Sequence, residues 1–250
     1  FVPGNSDGQA DIWASSQGAF MIRSLCASIL GLSEASIRVT PLEIGGGFGG
    51  KTTVYLEPVA MLLSRKSGRP VRLAMSRSDV FRASGPAPGG EMEIQLGADA
   101  DGTITGVVME FKLLGGAFPG SDTHSGAMSA LGHYNIANSR VTGWDVLCNT
   151  ASTAAYRAPG APQTIFPVES CIDELAMKLG IDPLDLRIKN AARPGDIGLT
   201  GTKVGEIGYV ECLEAAKAHP HWSAPLGLNQ GRGVGGGTWG NYGGPSTASV

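Results

Sequence analysis

The 250-residue chain lacks the features that mark several common classes of protein. Only 16% of its residues are charged, the net charge is −3, and no basic run is present. The sequence therefore lacks the cluster of positive charge that nucleic-acid binding usually needs. No stretch approaches 18 consecutive apolar residues, so the sequence predicts no membrane-spanning helix. The sequence therefore points away from nucleic-acid binding and from membrane insertion.

The usual spacing of metal ligands is missing as well. None of the four cysteines stands in a C-x-x-C pair, which argues against a zinc site or an iron–sulfur cluster; they are Cys26, Cys148, Cys171 and Cys212. Cys26 and Cys171 fall in helical patterns and are predicted to be small core residues. The proline in His219-Pro220-His221 predicts a turn there rather than a metal site.

Glycine, in contrast, is abundant. The chain has 38 glycines, about twice the usual share, and they are not periodic. Glycine is used where the backbone takes a positive φ or where another group must come close. Five glycines surround one phenylalanine in Gly45-Gly46-Gly47-Phe48-Gly49-Gly50-Lys51-Thr52. The sequence therefore predicts a tightly shaped loop at this place.

Two interpretations of this octapeptide are open from the residues alone. It fits the G-x-x-x-x-G-K-[ST] pattern of a phosphate-binding loop, with a possible strand at 37–41 and a possible helix at 53–67 on either side. Nucleotide hydrolysis would also need a second magnesium ligand, and the nearest candidate, Glu110 after an apolar run, is weak. The alternative is a turn whose glycines only let a helix pack closely on a strand.

Hydrophobic periodicity predicts a mixed set of helices and strands. Helices are expected at Gln17–Leu30, capped by Ser15 or Ser16, at Thr53–Ser67 with Val59, Leu62 and Leu63 on one face, and at 163–179, 183–190 and 210–218. Strands are expected at 71–75, 92–96, 103–114 and 138–149, the second and third forming a hairpin. Because strands and helices do not alternate regularly, the fold class is predicted to be α+β, with mixed helices and short sheets.

A second informative segment runs from Ser152 to Gln163. Arg157 stands there among small residues and prolines, just before a predicted helix. A fixed cation beside a helix N-terminus is typical of an anion or cofactor site. The alternative is that Arg157 forms a salt bridge with Glu169 or Asp173.

Together these segments resemble one family, the molybdenum-binding large subunit of the xanthine dehydrogenase and aldehyde oxidase enzymes. The resemblance covers roughly residues 11–190 and rests on four motifs in the same order. They are Ser15-Ser16-Gln17-Gly18, the loop Gly45–Lys51, Ala155-Tyr156-Arg157, and the helical stretch from Glu169 through Asp182-Pro183 and Arg187 to Asn190. In this resemblance the phosphate-loop match at Gly45–Thr52 is accidental.

The resemblance implies a molybdenum hydroxylase that oxidises an aldehyde or an N-heterocycle, with water as the oxygen donor. It implies a molybdenum–pterin cofactor, expected as the molybdopterin cytosine dinucleotide form, and iron–sulfur clusters and FAD on partner subunits or domains. A cytoplasmic location is expected, and a periplasmic one stays open.

The resemblance also implies how the chain is divided. Residues 1–190 would be the first cofactor-binding domain, and residues 191–250 a linker and the incomplete start of the second. The chain starts at Phe1 and its last segment looks like an unfinished strand region, so an internal piece of a longer polypeptide is expected. The general-base glutamate would lie outside it, which predicts that the chain alone is inactive.

Residue by residue, Gln17 matches the glutamine that hydrogen-bonds a molybdenum oxygen and is the predicted catalytic residue. Phe48 matches the residue whose backbone amide faces the metal, and Arg157 matches the arginine beside it, so these three lie in the predicted molybdenum vicinity. The predicted cofactor-binding set is Gly46, Gly47, Phe48, Gly49, Ala155 and Arg157. The predicted substrate set is Thr52, Tyr156 and Pro159.

Departures from the family pattern bear on the substrate. Thr52 stands where purine-oxidising members carry glutamate, and Pro159 where they carry an aromatic residue. They also place an arginine in a region that corresponds to residues 120–134, where this chain has none. Ala158 stands where carbon monoxide dehydrogenases carry cysteine. Neither xanthine nor carbon monoxide is therefore the expected substrate.

Overall fold

A computed structural model of the chain describes residues 9–240. Within these residues, no helix combines the length and the apolar character needed to cross a membrane. The described residues form two compact units. The first comprises the chain up to Ala87 with Gly115–Gly120 and Leu147–Arg157, and the second comprises Pro88–Leu114, Ser121–Val146 and the chain from Ala158 onwards.

The first unit is built around a parallel pair of strands. Strand β1 (Ala10–Ala14) pairs with β2 (Ile37–Pro41) in a register that sets Ala10 opposite Ile37. Helix α1 (Ala19–Leu30) connects them, as a parallel pair requires, and ends at Gly31, whose φ of +63° suits the left-handed C-cap. The core of this unit is small: Ala10, Ile12, Ala14, Ile22, Cys26, Ala27, Ile37 and Met61.

Two details of this unit differ from the sequence predictions. Helix α1 is preceded by Gly18 and has no side-chain cap, so neither Ser15 nor Ser16 caps it. Helix α2 (Glu57–Ser67) begins four residues later than the predicted Thr53, because Pro58 suits the first turn of a helix and the Glu57 carboxylate accepts the N–H of Tyr55 at 2.8 Å.

The apolar residues that the sequence groups on one face of α2 are not the buried ones. Val59, Leu62 and Leu63 are exposed, whereas Pro58 and Met61 are buried. The apolar pattern of the helix covers more than one face, so its periodicity alone could not identify the buried one. Residues 71–75, predicted as a strand, take no regular structure, and a third helix, α3 (Arg77–Ala83), follows with a Ser76–Asp79 capping box that the sequence analysis overlooked.

The second unit pairs an antiparallel sheet with helices. Strands β3 (Gly90–Ala98) and β4 (Ile104–Gly116) form the predicted hairpin, and β5 (Ser139–Leu147) follows on the other side of β4. Alternate residues of β4 enter the core, as a half-buried strand requires; they are Val107, Met109, Phe111 and Leu113. These strands confirm the predicted α+β class.

Five helices complete the second unit. They are α4 (Thr123–Ala130), which was not predicted, α5 (Ala161–Leu179), α6 (Pro183–Asn190), α7 (Tyr209–Ala218) and the short α8 (Pro220–Ser223). Asp182 caps α6 by accepting the N–H groups of Leu184 and Asp185, which confirms the predicted start at Pro183. His219-Pro220-His221, predicted as a turn, opens α8 instead, with His219 as its N-cap.

A buried polar cluster, here called the Glu169 network, holds α5, α6 and the later chain together. Glu169 accepts hydrogen bonds from Arg187 Nε at 2.9 Å, Tyr134 Oη at 2.6 Å and the N–H of Gly236 at 2.6 Å, and it lies 3.1 Å from His133 Nε2. The Arg187 side chain is fully buried. A buried ion pair with its oxygens satisfied in this way is costly to break.

The Glu169 network predicts a loss of stability in acid. Burial alone would raise the pKa of Glu169, but the His133 hydrogen bond, the Arg187 charge and the other donors lower it to about 2 from an ordinary value of 4.5. Because the pKa of Glu169 is lower in the folded state, its ionised carboxylate stabilises the fold at pH values above about 4.5, the pKa of the unfolded state. This stabilisation, on the order of 3 kcal/mol in total, is lost as pH falls from about 4.5 toward 2.

Urea unfolding measured from pH 7 to pH 3 tests this prediction. Glu169→Gln should cost about 3–5 kcal/mol at pH 7, because the buried Arg187 loses the carboxylate that faces its Nε and keeps only Asp173, and it should flatten the decline in acid. Glu174→Gln, an exposed change on the same helix, should keep the wild-type pH dependence. An equally steep decline in Glu169→Gln would contradict the assignment.

Candidate functional site

The glycine loop, residues 45–52 in the connection between β2 and α2, takes an unusual backbone course. Gly45, Gly46, Phe48 and Gly49 all have positive φ, at +60°, +104°, +52° and +93°. Two glycines are needed for close approach as well. A Cβ at Gly47 would overlap the side chain of Gln17, and a Cβ at Gly49 would come within 2.9 Å of the Ala155 Cβ.

Gln17 is joined to this loop by three hydrogen bonds. Its Oε1 accepts the N–H groups of Gly49 at 2.9 Å and Lys51 at 3.0 Å, and its own N–H donates to the Lys51 carbonyl at 2.9 Å. Because two donors meet Oε1, the orientation of the carboxamide is determined by its contacts. The Nε2 group has no hydrogen-bond partner within residues 9–240 and remains available as a donor.

Phe48 connects the glycine loop to the loop that carries Arg157. The Phe48 carbonyl accepts the N–H of Arg157 at 2.7 Å, and the rings of Phe48 and Tyr156 lie 5.8 Å apart. Both rings are more than half exposed, at 54% and 58%. The N–H of Phe48 has no partner in the described part of the chain. A left-handed conformation at a phenylalanine is strained, and such strain is often found at binding sites.

The end of the Arg157 loop, residues 152–157, also has a strained backbone. The φ angle is +23° at Arg157 and +57° at the following Ala158. The Arg157 side chain is exposed and forms no ion pair with any residue from 9 to 240. Glu169 and Asp173, the partners considered from the sequence, both pair with Arg187 instead. Arg157 is therefore a free cation beside Phe48.

Lys51 and Thr52 do not face outward as a phosphate-binding loop requires. The Lys51 ammonium donates to the Ile44 carbonyl, and the Thr52 hydroxyl donates to the Gly49 carbonyl at 2.8 Å. In a phosphate-binding loop the helix opens at these residues, whereas α2 begins at Glu57. Both side chains close the loop on itself, which disfavours the nucleotide-binding interpretation.

The structure thus brings most of the predicted site residues together in the first unit. Nine of them belong to the glycine loop, to the Arg157 loop or to residues bonded to these loops. They are Gln17, Gly46, Gly47, Phe48, Gly49, Thr52, Ala155, Tyr156 and Arg157. Pro159 belongs to the second unit, where it precedes α5. The sequence analysis assigned no role to Tyr55, whose hydroxyl contacts the glycine loop, because a lone tyrosine in a turn carries no pattern.

The chemistry of these residues suits a metal that is carried by an organic ligand. The site offers a carboxamide N–H, a backbone N–H and a guanidinium, all donors toward negative charge. Within residues 9–240 no group of three His, Cys, Asp or Glu residues could bind a metal ion directly. Neutral donors and one cation fit the anionic oxygen side of a molybdenum–pterin cofactor, so the residues present fit the group that the resemblance implies.

Comparisons with known proteins identify the family of this chain. Residues 1–191 match the family model described as molybdopterin cofactor-binding domain. A xanthine dehydrogenase molybdenum-binding subunit of Escherichia coli is 32% identical over 224 residues, which are 86% of this chain and 29% of that protein. The chain therefore spans less than a third of this relative.

Solved structures give the same result. An aldehyde oxidoreductase from Desulfovibrio gigas superposes with a TM-score of 0.78 at 31% identity, over 86% of this chain and 24% of that chain. A quinoline 2-oxidoreductase from Pseudomonas putida 86 superposes with a TM-score of 0.75 at 28% identity, over 82% and 28%. The chain therefore belongs to the xanthine dehydrogenase and aldehyde oxidoreductase family of molybdenum hydroxylases, and it carries their molybdopterin cofactor-binding domain.

Proposed function

We propose that the first unit binds the anionic side of a molybdenum–pterin cofactor through Gln17, Phe48 and Arg157, in an enzyme that hydroxylates an aldehyde or an N-heterocycle. The observation that carries the proposal is the Gln17 carboxamide, whose oxygen accepts from Gly49 and Lys51 while its NH₂ has no hydrogen-bond partner among residues 9–240. When bound, the cofactor supplies the two-electron oxidation and the activated water oxygen that hydroxylation needs.

The chain's own residues would bind and orient this group. Gln17 donates a hydrogen bond without adding a charge, so it can stabilise negative charge that grows on an oxygen during the reaction. The Phe48 N–H is a second neutral donor, made accessible by the glycines on either side. Arg157 supplies a positive charge in the same loop system, from a backbone held by the Phe48 carbonyl. Gly46 and Gly49 supply the positive φ that shapes the loop, and the missing side chains at Gly47 and Gly49 let Gln17 and Ala155 pack against it.

The substrate side is proposed from Thr52, Tyr156 and Pro159. Relatives named as an aldehyde oxidoreductase and a quinoline 2-oxidoreductase support an aldehyde or an N-heterocycle. Thr52, Pro159 and Ala158 depart from the patterns of purine and carbon monoxide oxidation, so neither xanthine nor carbon monoxide is proposed. The exposed Tyr156 ring offers an aromatic wall against which a planar heterocycle could stack.

The wider assembly is proposed on the family resemblance. The cofactor would be the cytosine dinucleotide form, and electrons would leave through iron–sulfur clusters and FAD on partner subunits or domains. Residues 1–190 would form the first cofactor-binding domain and residues 191–250 a linker and the start of the second, inactive without the remainder of the enzyme. A cytoplasmic location is proposed.

Substitution of Gln17 tests the central role. In the complete enzyme, Gln17→Ala should lower kcat by about 100-fold at equal molybdenum content, because one preorganised donor is lost. Gln17→Glu separates the two functions of the side chain, since its carboxylate can still accept from Gly49 and Lys51 but offers no N–H. Gln17→Glu should therefore lower turnover while the glycine loop keeps its structure.

Steady-state kinetics, with molybdenum measured in each variant, tests this role of Gln17. Gln95→Ala, an exposed glutamine on β3, is the matched control and should turn over like the wild type. Equal kcat in wild type, Gln17→Ala and Gln17→Glu at equal metal loading would remove Gln17 from the site.

Thr52→Ala should change substrate preference more than turnover on the best substrate. The hydroxyl donates to the Gly49 carbonyl, so its loss alters the loop wall by about one hydrogen bond, or roughly 3- to 10-fold in relative kcat/KM. A panel of aldehydes and N-heterocycles measures the change, and Thr53→Ala next to it serves as the control. An unchanged order and spread of kcat/KM values would contradict a substrate role.

Nucleotide binding is not expected, despite the motif. The Lys51 ammonium donates to the Ile44 carbonyl, and α2 begins only at Glu57, so its N-terminus does not open at the loop as phosphate binding requires. Titration calorimetry with Mg–ATP and Mg–GTP should show no micromolar binding. Magnesium-dependent binding that disappears in Lys51→Ala would support the nucleotide-binding alternative instead.

A further inference from the structure

We propose that Tyr55 is a positioning residue that holds the glycine loop and the Arg157 loop in one fixed arrangement. The consequence for turnover rests on the proposed function, whereas the hydrogen bonds themselves do not. Tyr55 lies in the turn before α2, outside every motif by which the site was found. Its hydroxyl contacts the glycine loop at Gly50 and the chain at Gly85, which in turn is joined to the Arg157 loop.

The hydroxyl of Tyr55 acts as both a hydrogen-bond donor and an acceptor. It donates to the Gly50 carbonyl at 3.1 Å and accepts the N–H of Gly85 at 3.2 Å. The backbone N–H of Tyr55 donates to the Glu57 carboxylate at 2.8 Å, which holds the residue at the start of α2. The glycine loop is thereby joined to the segment at Gly85, 35 residues further along the chain.

The segment at Gly85 is joined in turn to the Arg157 loop. The Pro86 carbonyl accepts the N–H of Ala154 at 3.0 Å. Gly85 packs so closely on this loop that an added Cβ would overlap Ala154. Since the N–H of Arg157 donates to the Phe48 carbonyl at 2.7 Å, the contacts close into a ring: Gly50, Tyr55, Gly85, Pro86, Ala154, Arg157 and Phe48.

A closed ring explains how the strained residues keep their conformation. Phe48, Arg157 and Ala158 have positive φ, and such conformations persist only where the surroundings enforce them. A single hydrogen bond between Arg157 and Phe48 would leave the two loops free to rotate about it. Tyr55 adds a second attachment through Gly85 and Pro86, so the backbones of Phe48 and Arg157 keep their spacing. Small displacements of such groups lower rates steeply.

Hydrogen exchange measured by mass spectrometry tests the ring directly, in the wild-type protein and in Tyr55→Phe, with and without its molybdenum cofactor. Tyr55→Phe keeps the aromatic ring of the side chain and its packing and removes only the hydroxyl. We expect about tenfold faster exchange in peptides covering residues 47–51, 85–87 and 152–157, as loss of the two hydrogen bonds of this hydroxyl implies, and no change in α1 or α5. In the complete enzyme at equal molybdenum content, kcat should fall about tenfold with a smaller change in KM.

Two further variants keep the test decisive. Gly85→Ala breaks the same link without touching Tyr55, so it should give the same local pattern even if Tyr55→Phe fails to fold. Tyr209→Phe removes a tyrosine hydroxyl in the second unit and should leave exchange in the three peptides unchanged. The melting temperature of Tyr55→Phe should stay close to that of the wild type.

Several outcomes would overturn the inference. Unchanged exchange in both loops would show that the ring does not hold them. Faster exchange throughout the chain with a lower melting temperature would make Tyr55 a residue of general stability. Looser loops with unchanged kcat per molybdenum would remove the positioning role. A wild-type protein that binds no molybdenum would instead contradict the proposed function, while the exchange data would still support or reject the ring.

Discussion

The site depends on one constraint, the seating of the Gln17 carboxamide in the glycine loop. Its oxygen takes two backbone N–H groups, from Gly49 and Lys51, that would otherwise point into an open turn. The contact requires the loop to come so close that residue 47 can carry no side chain. The same contact leaves the NH₂ group as the free end of the side chain. Loop shape, glycine content and donor placement are therefore consequences of a single interaction.

Around this contact, the first unit is organised by backbone bonds more than by apolar packing. Its buried core is small and contains three alanines and one cysteine, whereas the loops are joined through carbonyls and N–H groups at Phe48, Gly50, Pro86 and Lys51. Backbone groups cannot change rotamer, so loops held in this way present their donors at fixed positions. That rigidity suits a site whose ligands are recognised by hydrogen bonds rather than by apolar contact.

The order of motifs related residues that lie close in the structure, whereas hydrophobic periodicity misplaced parts of the elements around them. Gln17, Phe48 and Arg157 lie far apart in the chain, and only the order of motifs related them, yet the structure joins them through two loops. The start of α2 was misplaced because Pro58 and the Glu57–Tyr55 hydrogen bond decide it, and neither appears in hydrophobic periodicity. Val59, Leu62 and Leu63 form a regular apolar pattern that the structure leaves exposed. Tyr55 could not be found because its contacts are with backbone atoms, which every sequence supplies.

The two units show why a family motif does not by itself indicate a binding role. Glu169, Arg187 and Asn190 belong to the resemblance as much as Gln17 does, but their polar atoms are satisfied internally. Asn190 donates to the Gly102 carbonyl and accepts the N–H of Ile104, while Glu169 and Arg187 pair with each other. In the first unit, Gln17 and Arg157 keep donors without partners among the described residues. A charged or amide side chain whose bonds are complete serves the fold, and one held in place with donors to spare is prepared for a ligand.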